Sequence, residues 1–138
     1  MTEAEVQNRV DEVLQSCLEE VPFLSVRSVK RELTFSAFLV MKAMALAGRL
    51  KEKDAWDIWF CLRYHPEGLD DLVQTLRPHA DHGLMQEALS HLEEKFDSPE
   101  HVGPRMVADF DQITDEEARS RRMRDAYERV SYVIEEVK

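Results

Sequence analysis

Glycine is the scarcest useful signal in this chain: there are four in 138 residues, and none precedes Lys42. Proline is nearly as rare, at five. With so few chain breakers, and with apolar residues recurring at intervals of three and four rather than two, the pattern argues for helices throughout. The two cysteines, Cys17 and Cys61, are far apart and form no C-x-x-C pair. This excludes a disulfide framework and a cysteine zinc cluster, and it fits a reduced, cytoplasmic setting. A long apolar run is also missing. The most apolar stretch, Phe35 to Ala47, falls short of the roughly 20 residues that span a bilayer and carries Lys42 near its middle, so no transmembrane helix is expected. The opening MTEAEVQNRVDEV has neither the basic nor the apolar region of a secretory signal. Positive charge is in deficit: 18 Lys+Arg against 28 Asp+Glu give a net charge of −10 and a pI near 4.9. That balance opposes sequence-independent binding to nucleic acid and attachment to anionic membranes.

What is present describes one globular domain over residues 1–138. A hydrophobic content of 43% with 33% charged residues is that of a folded protein, and a chain of this size buries roughly two thirds of its unfolded surface. An amphipathic N-terminal helix is expected within residues 1–21, from about Glu3 to Glu20. Thr2 and Glu5 form its capping box, and Val6, Val10, Val13, Leu14, Cys17, Leu18 and Val21 form one apolar stripe. Pro22 ends it. Between Phe23 and Leu33 the residues alternate, so a short strand or extended linker is expected near Ser25 to Lys30.

A second helix, about Ser36 to Leu50, is apolar nearly all round, the pattern of a helix at the centre of a bundle. A turn at Gly48 and the KEK stretch leads to a third, about Lys53 to Tyr64, packed back as an antiparallel hairpin. A fourth runs from Pro66 to about Leu76 and a fifth from about His82 to Phe96. Asp97 to Pro104 reads as a surface loop, and a last helix starts at a second capping box, Thr114 with Glu117, and continues to Val137. The expected fold is therefore an all-α, single-domain bundle of five to seven helices around the apolar second helix.

A lysine on an apolar helix needs a carboxylate partner or a route to water. The hairpin brings Asp54 and Asp57, one turn apart, towards Lys42, with Arg49 and Lys53 close by. Such a group serves either as an ion pair that holds two helices in register or as part of a ligand site.

The stretch AFLVMKAMALAGRLKEKDAWDIWFCLRYHPEGLDDLV resembles the C-terminal half of the AbiEii/AbiGii-type nucleotidyltransferase-like proteins, the toxin components of abortive-infection and type IV toxin–antitoxin systems. In that family a lysine on an apolar helix is followed by R-x-x-x-K-D-x-x-D and aromatic residues. The matching positions are Lys42, then Arg49, Lys53, Asp54 and Asp57, then Ile58, Trp59 and Phe60. The resemblance runs from about Leu33 to Val130, within a family-like region at 33–138. It implies that Lys42, Asp54 and Asp57 are catalytic, that Lys42, Arg49 and Lys53 contact nucleotide phosphates, and that Mg²⁺ and an NTP are bound when a catalytic half is present. It also implies a Gly-Ser motif and an Asp-x-Asp metal pair ahead of the lysine helix. The 41 residues before Lys42 contain no glycine and no D-x-D, so the two-metal site is not encoded there. The expectation is a non-catalytic or catalytically incomplete helical domain acting through protein association, with no cofactor of its own. An orphaned face and the apolar first helix point to a homodimer or a partner protein. The alternatives are a Mg-nucleotide-binding component completed by another polypeptide, and an unrelated helical interaction module.

Three further features read as structural. Trp56, Trp59 and Phe60 sit at helical spacing and are taken as core. The pairs His79 with His82 and Cys61 with His65 have metal-like spacing but no third ligand, so no metal site is assigned. The run Arg119, Arg121, Arg122 and Arg124 is the one local positive patch, interleaved with carboxylates, and reads as a solvated helix face.

Overall fold

A computed structural model describes residues 31–138, with side chains from residue 35 onward. The expected N-terminal helix and the expected strand at 25–30 lie outside the described residues. Within them the chain is all α: α1 (Arg31–Arg49), α2 (Glu52–Tyr64), α3 (Leu69–Leu76) with a 3₁₀ turn at Arg77–His79, α4 (Gly83–Lys95), α5 (Val102–Phe110) and α6 (Glu116–Val137), with no strand among the described residues. No described helix is long and apolar enough to cross a membrane.

The bundle has a shared centre. Helix α1 buries Phe35 through Val40 without a break and then Ala43 and Leu46, and it packs against α2, α3 and α4. Helix α2 is buried continuously from Asp54 to Leu62 and lies between α1, α5 and α6. The long α6 lies across α2, α3, α4 and α5, using Ala126, Val130, Val133, Ile134 and Val137. Its 22 residues span about 33 Å, which lets one helix touch four others.

Several local expectations shift. Helix α1 begins at Arg31, inside the segment read as extended, and ends at Arg49, one residue before the expected Leu50, whose φ of 48° makes the left-handed turn. The fourth expected helix starts at Leu69 rather than Pro66, because Gly68 at φ 89° and ψ 168° takes a conformation closed to other residues and breaks the chain there. The cap of α6 is Asp115, whose carboxylate accepts the Ala118 N–H at 2.9 Å, one residue past Thr114.

The largest correction is α5. The loop expected over Asp97 to Pro104 continues into a helix that the sequence reading omits. Gly103 and Pro104 look like breakers, yet both lie in its first turn, where Pro forfeits only an N–H with no helical partner. Gly103 is required for another reason. A Cβ there would stand 2.7 Å from the Lys95 carbonyl oxygen and 2.8 Å from the Phe96 ring, so its absence sets how closely α5 meets the end of α4.

Candidate functional site

The α1–α2 hairpin brings together all five residues singled out in the sequence. Lys42 Nζ lies 2.7 Å from Asp57 Oδ2 and 3.3 Å from Asp54 Oδ1. Arg49 donates twice to Asp54, from Nε to Oδ2 at 2.7 Å and from Nη2 to Oδ1 at 2.9 Å, and Lys53 Nζ reaches Asp57 Oδ2 at 3.3 Å. Position along the chain explains the convergence. Lys42 is on the inner face of α1, Arg49 is in its last turn, and Asp54 and Asp57 share a face of α2.

Exposure divides the group sharply. The Asp54 and Asp57 side chains are 1% and 0% exposed and Lys42 is 12% exposed, whereas Arg49 and Lys53 are 53% and 55% exposed. Two buried carboxylates thus face one interior cation and two rim cations. Among the described residues, Lys42 bridges both carboxylates while Arg49 and Lys53 take one each.

Burial by itself raises the Asp54 carboxyl. The Arg49 hydrogen bonds and the charges of Lys42 and Arg49 together outweigh it, so Asp54 titrates below its ordinary value of 3.8. A lowered folded-state pKa stabilises the protein above the unfolded value and withdraws that support as pH falls through the folded one. Urea midpoints should therefore decline on acidification below about pH 4, and Asp54→Asn should flatten that part of the decline. An unchanged acid profile in Asp54→Asn would show that the network does not set acid stability.

The aromatic residues form core, as the spacing predicts: Trp56, Trp59 and Phe60 are 7%, 5% and 2% exposed. Their polar edges are anchored from afar, with Trp56 Nε1 donating to Asp111 at 2.9 Å and Trp59 Nε1 to Asp125 at 2.7 Å. The arginine run is more than a solvated face. Arg121 pairs within α6 with Glu117, but Arg119 reaches Asp109 at 2.6 Å and Arg122 reaches Asp111, which clasps α6 to the end of α5.

Burial pushes the Cys61 thiol up to about 12, so it stays protonated at neutral pH. In a Cys17→Ser background, Cys61 should react with a thiol reagent at neutral pH orders of magnitude more slowly in buffer than in urea. Equal rates would mean that the α2 core opens freely.

His65 instead meets Glu67 and Asp71, and donor atoms from these three lie within 4.8 Å of one another. The sequence signal is H-P-E-G-x-x-D at the turn between α2 and α3, a spacing that helical periodicity does not reveal. Its chemistry suits a hydrogen bond better than a metal. His65 Nε2 is 2.9 Å from Asp71 Oδ2, while the buried Nδ1 has no hydrogen-bond partner among the described residues. Metal on Nε2 would force a proton onto Nδ1 with no acceptor, whereas ligating histidines nearly always donate through their second nitrogen.

No protein-family model matches the chain, and neither curated proteins nor solved structures give a match.

Proposed function

We propose that this chain is a catalytically incomplete helical domain, of the kind that forms the C-terminal part of nucleotidyltransferase-like toxins, and that it works by protein association. The supporting observation is the state of the two carboxylates. Asp54 and Asp57 are covered, and each is held by two cations. Their charge is committed to Lys42, Arg49 and Lys53, which suits a structural ion-pair network between two helices. In this reading the network holds α1 and α2 in register, and association joins the domain to a second copy. Light scattering at tens of micromolar should report about twice the 16.1 kDa chain mass. A solution containing only the 16.1 kDa species would sink the dimer.

One observation favours a second reading, a Mg-nucleotide-binding component completed by another polypeptide. Arg49 and Lys53 place half-exposed cations at the open edge of the network, and guanidinium and ammonium groups suit phosphate. Calorimetric titration with Mg-NTPs separates the two. Saturable binding lost in Arg49→Gln and Lys42→Ala supports the nucleotide reading, and no heat at millimolar nucleotide supports association alone.

A further inference from the structure

Local charge is inverted on the far side of α2. The end of α2, the α5–α6 connection and the first half of α6 enclose an open cleft of about 380 Å³, within the roughly 300–1,000 Å³ typical of small-molecule sites. Its lining carries three guanidinium groups, Arg63, Arg121 and Arg122, against one carboxylate, Asp125. That carboxylate is already committed. It accepts the Trp59 N–H at 2.7 Å and the Arg129 Nε at 2.9 and 3.0 Å.

The back of the cleft is rigid. Arg122 stacks on Trp59, its guanidinium carbon 4.1 Å from the ring centroid, and is held from behind by Asp111, which also fixes Trp56. The rim is adaptable. Arg63 is exposed and lies 5.1 Å from the Tyr64 ring centroid. Arg121 pairs with Glu117 at 3.1 Å, but the two side chains are 70% and 81% exposed. Such a pair has little net worth and yields readily to a better anion.

We propose that this cleft binds a small phosphomonoester carrying a planar ring. Arg63 and Arg121 close on the phosphate oxygens through their planar forks, and Arg122 supplies a fixed charge at the floor. Tyr64, Ile113 and Ala118, the apolar part of the lining, receive the ring. Arg122 is already met by Asp111, but Arg63 and an Arg121 released from Glu117 present two planar forks, which favour a dianion over a monocarboxylate. Smallness follows from the field of the whole chain: a net charge of −10 repels a long polyanion. A small ligand responds mainly to charges within a Debye length of about 8–10 Å. The site is separate from the Lys42 network and does not depend on how that network is read.

The test is an NMR titration of the full chain with phenyl phosphate, following the two indole N–H resonances. A saturable shift of the Trp59 signal is expected, and Arg63→Gln and Arg121→Gln should each weaken binding about ten-fold or more. Both residues are exposed, so folding is preserved. Arg124→Gln on the same helix, outside the cleft, should leave the titration unchanged. No saturable shift at millimolar phenyl phosphate would overturn the proposal, as would equal binding by the Arg63→Gln and Arg121→Gln variants. Inorganic phosphate binding as tightly as phenyl phosphate would overturn the role given to the ring.

Discussion

Lys42→Met should destabilise the protein by roughly 3–5 kcal/mol, the cost of leaving buried charge uncompensated. Among the described residues Lys42 alone touches both carboxylates, and it is the cation nearer to Asp57, at 2.7 Å against 3.3 Å for the half-exposed Lys53. The informative companion is Lys42→Met with Asp57→Leu, because replacing both members of a buried ion pair with apolar groups is often neutral or better. The double variant should recover a large part of the loss in urea denaturation. Strict additivity of the two substitutions would show that Lys42 and Asp57 are not energetically coupled, whatever their 2.7 Å separation.

Gly103→Ala is expected to be nearly as damaging, at the upper end of the 1–3 kcal/mol, roughly, that overpacking costs. The new methyl group would meet a backbone oxygen at 2.7 Å and the side chain of Phe96, itself 2% exposed, at 2.8 Å. Neither can withdraw without moving the end of α4. Gly48→Ala is the control. A Cβ there meets nothing within 4 Å, and Gly48 lies in α1, so this variant should gain about 0.5–1 kcal/mol from helix propensity. Equal thermal midpoints for the two variants would contradict the close α4–α5 approach.

Much of the fold and of the candidate site could be read from local pattern. The nearly all-round apolar character of Phe35 to Leu46, broken by Lys42, and the short turn after Arg49 place Lys42 opposite Asp54 and Asp57, because a hairpin of two helices leaves little freedom in what faces what. The aromatic spacing of Trp56, Trp59 and Phe60 likewise marks a buried face. Helix α5 was not legible. Gly103 and Pro104 carry the same local signal whether they end a chain segment or open a helix, and only the packing of Val107 and Ala108 into the core selects the second.

The partners of the two tryptophans show the same limit. Asp111 and Asp125 lie 55 and 66 residues from Trp56 and Trp59, beyond the reach of any helical spacing rule. The arginine run is the sharpest case. Its interleaved carboxylates suggest pairs within one helix, and Arg121 with Glu117 obeys that rule, yet α5 brings Asp109 and Asp111 close enough to take Arg119 and Arg122.

The sequence alone thus determined an all-α bundle, its apolar faces and the lysine–aspartate group of the first hairpin, because each depends on periodicity within one helix or across one short turn. Tertiary structure alone decided that both carboxylates are sealed from solvent, that α5 exists, and that Arg63, Arg121 and Arg122 share one cleft. Burial and convergence between distant helices are properties of how faces pack, and no local spacing encodes which face meets which.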